Sequence, residues 1–296
     1  MKFFLLLLSL YFTIDVIYCQ TDPNNTYNVP LLDFTDNPVN KSLLCSTPGC
    51  CAIALTFDDG PDGAGGATDA IVDFLHSINL PATFFINTEN WVNVNTDLAA
   101  QKSIKNIVEY RFNLGTHTVH HKNLPDLNNT DIADEIVGVQ TTLNKFMSPP
   151  PRLSLFRAPF GKPYQDDTQT HMNIVSKIAA DAGYFHVSWQ IDSQDYSCGN
   201  NITCVVDPIL NAVDRGEWGI VLMHFVYQNT ANALPSIIDG LKQRKCEFFT
   251  IEQLVHAKYG KSSADVMDDY NRKSKATTAT SSAFLLIIFI FSKFLF

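Results

Sequence analysis

The sequence has no cluster of lysines or arginines, no C-x-x-C pair and no glycine-rich dinucleotide fingerprint. Neither of its two long apolar runs, one at each end, reaches the roughly 20 residues of a spanning helix. The first absence, with a formal net charge of -9, argues against a nucleic-acid partner, which needs a basic face. The second disfavours a cysteine zinc site. The third disfavours an open doubly wound dinucleotide fold. The fourth points to processed ends rather than to membrane anchors left in place.

What is present at the ends fits that reading. The stretch "MKFFLLLLSLYFTIDVIYCQ" has an early Lys2, an apolar run and a cleavage point after Cys19, the pattern of a secretory signal peptide over 1–19. The chain closes on an apolar tail, Ala283 to Phe296, behind a polar spacer over 261–282. That is the pattern of glycolipid (GPI) anchoring, with Ser274 or Asn271 as attachment residue and the tail removed. The expected location is therefore the outer face of the plasma membrane or the cell wall. With Cys19 removed, Cys45, Cys50, Cys51, Cys198, Cys204 and Cys246 remain, an even set that reads as disulfides in a secreted chain. Cys198 and Cys204 can close "CGNNITC" locally, and Cys246 can reach back to the Cys45, Cys50 and Cys51 cluster. Sequons stand at Asn24, Asn40, Asn128 and Asn201.

Residues 20–50 read as an extended leader. Between Ala52 and about Lys258, short apolar runs of strand length alternate with segments of helical spacing. The runs are "AIALTF", "ATFFIN", "NLGTHT", "LFRAPF", "YFHVSW", "GIVLMHF" and "CEFFTI". Strand then helix, repeated about seven times, predicts a parallel sheet wound by crossovers. The expected fold is α/β, a distorted (β/α) barrel of about seven parallel strands over 51–260, with its site at the C-terminal strand ends.

Polar residues gather at those strand ends: Asp58 and Asp59 after the first, His117, His120 and His121 after the third, Arg157 after the fourth, Asp192 and Asp195 after the fifth, His224 after the sixth. Singly each has a plain explanation as a turn, a surface corner or a core histidine. In order, "TFDDGP", "HTVHH", "RAPFG", "DSQDY" and "LMH" resemble five motifs of the carbohydrate esterase family 4 polysaccharide deacetylases, which share the NodB homology domain and include chitin deacetylases. The resemblance runs from Cys51 to about Lys258.

That resemblance implies a metal held by Asp59, His117 and His121, with His120 a bystander. A spacing of four would let the two ligand histidines share one face of a helical turn. Two imidazoles and one carboxylate leave coordination positions open, as in catalytic sites. Zinc is the default cation, and Fe(II), Co(II) or Mn(II) suit the same ligands. The resemblance further implies Asp58 as general base, Arg157 as its orienting partner, His224 as general acid with Asp192 as its partner, and the Phe160 N–H at the oxyanion. Leu222 and Tyr196 would wall the acetyl pocket, Tyr196 standing where the family more often has Trp. Tyr164 and Tyr227 are further candidates for stacking on sugar. Trp91, Trp189 and Trp218, and His76, His171, His186 and His256, are given to packing, although Trp91 follows a strand end from which it could reach a sugar subsite. The activity so implied is removal of N-acetyl groups from N-acetylglucosamine polymers, chitin or chito-oligosaccharides first, by a monomer. The alternatives are an O-deacetylase of another cell-wall glycan and a catalytically inactive glycan-binding wall protein; against the latter argue the intact Asp58, Asp59, His117, His121, Arg157, Asp192 and His224.

Overall fold

The structure, a computed structural model, describes residues 29–32, 43–47, 49–163 and 169–276, with backbone alone at 31–32 and 169–172. The signal-peptide and tail segments, Asn24, Asn40 and Tyr164 lie outside these residues, as does the side chain of His171.

Nine strands form one parallel sheet: β1 (Leu31–Leu32), β2 (Cys51–Asp58), β3 (Thr83–Ile86), β4 (Asn113–Thr116), β5 (Leu155–Phe156), β6 (Phe185–Val187), β7 (Ile191–Asp192), β8 (Gly219–His224) and β9 (Cys246–Phe248). The order is β1-β6-β5-β4-β3-β2-β8-β7, with β9 paired to the first residues of β2. All seven strands expected from the sequence are present, in the distorted-barrel arrangement. β6, next to β1 at one end of the hydrogen-bonded path, and β7, at the other end, are not paired with each other and are joined by Ser188, Trp189 and Gln190 alone. One bending stretch of chain therefore crosses the gap that strand pairing leaves open. Three features differ from the sequence reading, the first being that Ile191–Asp192 forms a separate strand, β7. The fourth strand stops at Phe156, and the leader contributes β1, which pairs with β6.

Helices follow the strands: α1 (Ala67–Ser77), α2 (Leu98–Glu109), α3 (Asn129–Phe146), α4 (Gln169–Asp181), α5 (Ile202–Asp214), α6 (Gln228–Gln243) and α7 (Ile251–Tyr259), then α8 over 263–276. Their starts are chemically marked. Asp97, Asn128 and Asn201 accept backbone N–H groups at the N-termini of α2, α3 and α5, and Thr250 with Gln253 makes a capping box on α7. Both described sequon asparagines, Asn128 and Asn201, are thus exposed helix caps. No helix of the described residues is long and apolar enough to cross a membrane. Residues 263–276, read from sequence as spacer, are helical because Val266 and Met267 bury against the body.

Strand parity decides which side chains enter the barrel. Along β2, Ile53, Leu55 and Phe57 pack outward with α1 and its neighbours, whereas Ala54 shares a second cluster with Phe85, Leu155, Phe185 and Ile220. That second cluster also takes Ile251, Leu254 and Val255 of α7. The α7 N-terminus hydrogen-bonds Thr83 and Asn113, the first residues of β3 and β4, so this helix closes the end away from the site. Counting by twos along the inner face from Ala54 gives Thr56 and Asp58; from Leu155, Arg157; from Ile220, Leu222 and His224. A period-two pattern thus carries the chemically active side chains to one mouth.

Disulfides join Cys45 to Cys50 and Cys198 to Cys204, the second as the short loop predicts. Cys246 lies opposite Cys51 in the β2–β9 register, so its neighbour is the third member of the leader cluster.

Candidate metal centre and proton-transfer groups

Asp58 ends β2, and Asp59 follows in a left-handed conformation, φ 82°. That turn sends the adjacent carboxylates to different partners. Asp58 is buried and accepts from Arg157 Nη1 at 2.9 Å. Arg157 is fully buried; its Nη1 also donates to Thr56 Oγ1 at 2.8 Å, and its Nη2 to the Ser188 carbonyl at 3.2 Å. Its guanidinium lies over the Phe85 ring at 4.3 Å. Burial lowers the Arg157 pKa, and the charge and hydrogen bond of Asp58 oppose that shift.

Asp59 Oδ1 stands 3.3 Å from His117 Nε2 and 3.1 Å from His121 Nε2, yet this buried oxygen has no hydrogen bond. A carboxylate oxygen left so among two ring nitrogens is the signature of atoms aimed at a common point, not at one another. One ligand atom from each residue lies within 4.8 Å of the others. His117 Nδ1 is 2.9 Å from the Arg157 carbonyl. That contact places the proton on Nδ1 and leaves the Nε2 lone pair facing Asp59. Burial pulls the Asp59 carboxyl up, but the neighbouring imidazoles outweigh it and hold the group well below the usual carboxylate range. An anionic oxygen and two imidazole nitrogens fit a divalent cation with positions to spare. His120 turns away to Glu135, as its bystander reading requires.

The helical turn expected for the histidine segment is absent. Residues 117–123 form an irregular loop after β4, with Thr118 at φ 75° and His121 at φ 54°. Left-handed residues at both places bring His117 and His121 together, a route that a spacing of four does not reveal.

The expected partner of His224 is corrected. His224 Nδ1 lies 2.6 Å from Asp195 Oδ1, not against Asp192. After β7 the chain reverses through left-handed Gln194, φ 55°, and a 3-10 turn lifts Asp195 under the end of β8. Asp195 is saturated there: Oδ1 also accepts the Tyr196 N–H, while Oδ2 accepts the His224 N–H at 2.7 Å and the Thr230 hydroxyl at 2.6 Å. Asp192 instead accepts the Gln194 N–H at 2.8 Å, and burial raises its pKa. Burial works to lower the His224 pKa, but the Asp195 hydrogen bond and charge, helped by Asp59 and Asp58, raise it to about 9.

Around this centre, Leu222 is buried beside Thr56 in the β2–β8 register. Phe160 is 59 % exposed and meets His121 edge-on at 4.5 Å; Tyr196 is 55 % exposed and meets His224 edge-on at 5.7 Å. Sequence reasoning gave Trp91 to packing. It is 50 % exposed and touches Tyr227, whose ring in turn lies 5.7 Å from His224. Its position just beyond the second strand end was the signal available in the sequence. Trp189 packs near Arg157 as expected, and His76 stacks on Tyr110.

The fold agrees with comparisons to known proteins. A peptidoglycan-N-acetylglucosamine deacetylase of Bacillus cereus is 27% identical over 209 residues, 68% of this chain and 67% of that one. A chitin deacetylase of Arthroderma benhamiae is 30% identical over 210 residues, 70% of this chain and 52% of that one. The solved chitin deacetylase of Colletotrichum lindemuthianum superposes with a TM-score of 0.60 at 24% identity, over 71% of this chain and 88% of that one. Other curated relatives are longer, and the chain spans 36% and 38% of two of them. Residues 46–184 match the family described as polysaccharide deacetylase. The chain therefore carries a polysaccharide deacetylase domain.

Proposed function

We propose that this site hydrolyses N-acetyl groups of N-acetylglucosamine units in a polysaccharide, with a divalent cation, zinc first, held by Asp59, His117 and His121. The observation that carries the reading is the orphaned Asp59 oxygen between two imidazoles, flanked by an arginine-held carboxylate and a carboxylate-held imidazole. When bound, such a cation lowers the pKa of water and polarises an acyl carbonyl. Asp58 is the base: its Oδ1 is fixed by Arg157 while Oδ2, 3.9 Å from His117 Nε2, faces the cation site. His224 is the acid: Nδ1 is committed to Asp195, so Nε2 delivers its proton to the leaving amine.

The Phe160 N–H, in the turn after Arg157, is our oxyanion donor, because its own ring lies against His121. Leu222 and Tyr196 border the acetyl pocket. Exposed Phe160, Tyr196 and Trp91 offer faces on which sugar rings stack. A relative named for the N-acetylglucosamine of peptidoglycan and one named for chitin, itself a polymer of that sugar, support this class. Within that class we place chitin and its oligomers first, with peptidoglycan as the alternative to be measured beside it.

The test is acetate release by the purified protein from chito-oligosaccharides and, in parallel, from peptidoglycan. Release abolished by a chelator and restored by zinc is the expected outcome. Chelator-insensitive release, or none from either glycan, overturns the proposal.

A further inference from the structure

The loop that carries the two histidine ligands does not hold itself. Thr118 is β-branched and left-handed, a conformation such residues rarely adopt without support from their surroundings. Asn87, just past β3, gives part of that support: its amide donates to the carbonyls of His117 and Thr118. Thr88 and Glu89 donate to the Val119 carbonyl, Glu89 also pairs with His120, and Thr118 Oγ1 accepts the His121 N–H, while further support comes from α3. The Glu135 carbonyl accepts the Val119 N–H at 3.0 Å. Its carboxylate accepts the His120 N–H at 2.8 Å, lies 2.9 Å from His120 Nδ1 and pairs with Lys122 Nζ at 3.1 Å.

One helical residue thus receives four donor groups from three residues of a single short loop. The Glu135 side chain is only 4 % exposed, while His120 and Lys122 reach solvent. Burial raises the Glu135 pKa, but the His120 and Lys122 donors outweigh it, so the carboxylate remains ionised where it is gripped. Three residues along α3, Gly138 lets the loop seat directly on the helix. A Cβ there would come 2.5 Å from Val119 Cγ2.

We infer that Glu135 is a positioning residue for the cation site: by gripping His120, Val119 and Lys122 it fixes the backbone that presents His117 and His121 to Asp59. This rests on the metal reading above. It also gives the third histidine of the segment a purpose, as the handle by which the loop is held. An ordinary surface ion pair would affect stability slightly and cation affinity not at all.

The experiment measures zinc affinity of the purified protein by competition with a chromophoric chelator. Glu135→Gln keeps the volume but cannot accept at both oxygens, and it should weaken zinc binding by about tenfold or more, the usual effect of an outer partner of a ligand. His120→Ala should weaken it in the same direction. In both, saturating zinc should restore turnover without changing KM for the glycan. Circular dichroism of the zinc-free proteins checks that they are folded; if Glu135→Gln is not, His120→Ala decides. Parent-like zinc affinity in a folded variant overturns the inference. His117→Ala is the control that separates the two readings. If it loses zinc while Glu135→Gln and His120→Ala do not, this inference alone fails; if it binds zinc as the parent does, the metal reading fails and takes this one with it.

Discussion

Asp195 beneath His224 determines when the imidazole can act as an acid. With its pKa raised to about 9, the ring is protonated across neutral pH and loses its proton only above that value. An acid-catalysed step therefore holds its rate through neutrality and declines as pH rises past about 9. Asp195→Asn removes the largest of the charges that oppose burial, so the alkaline limb should move down from about 9. Zinc content should not change, since Asp195 touches none of the three cation-facing atoms. A pH profile of kcat beside metal analysis checks both; an unmoved limb would mean that another group sets the acid. The exchange of Asp192 for Asp195 shows where sequence reading stops at this scale. Two carboxylates three residues apart were both visible, but the choice between them lay in the left-handed turn at Gln194, which no spacing encodes.

Arg157 acts between elements. It leaves the end of β5, reaches Thr56 and Asp58 on β2, and donates to the carbonyl of Ser188 in the stretch that bridges β6 and β7. It therefore ties β2 to the short stretch that joins β6 and β7, two strands linked by the chain and not by pairing. Arg157→Leu would fill similar space but strand a buried carboxylate, and breaking such a pair costs about 3–5 kcal/mol. Urea unfolding should show that loss, and Arg157→Lys should recover only part of it, because a single ammonium nitrogen lacks the planar fork that reaches Thr56 and Asp58 from one nitrogen and Ser188 from another. Full stability in Arg157→Leu would mean that Asp58 takes up a proton and needs no partner. At this scale the sequence was informative. Alternation along "AIALTF" and "GIVLMHF" implies which residues face inward, and the structure has Thr56, Asp58, Leu222 and His224 on that face. Irregular stretches were less legible: the chain leaves strand geometry at Arg157, and the histidine segment coils without forming a helical turn.

Taken whole, the molecule is a β/α alternation that a periodicity reading recovers, because crossover helices and parallel strands impose different repeats on the same chain. What such a reading misses are pieces whose place depends on distant partners: β1 on β6, α8 on the second core cluster, and α7 closing the far end. The cation site has the same long-range character. Asp59 comes from β2 and the two histidines from beyond β4, with β3 between them in the sheet. Only the folded chain assembles these ligands, so a cation that binds them must stabilise the fold by mass action. At zinc one hundred times above its Kd the gain is about 2.7 kcal/mol, which for a domain of this size raises Tm by roughly 5–10 °C. Asp59→Asn removes the anionic ligand and should abolish the zinc-dependent rise, while Asp195→Asn, which leaves the ligands intact, should keep it. Thermal melts of the three proteins with and without zinc decide the matter. An equal rise in Asp59→Asn would place the stabilising ion elsewhere on the surface, and the convergence of Asp59, His117 and His121 would then need another explanation.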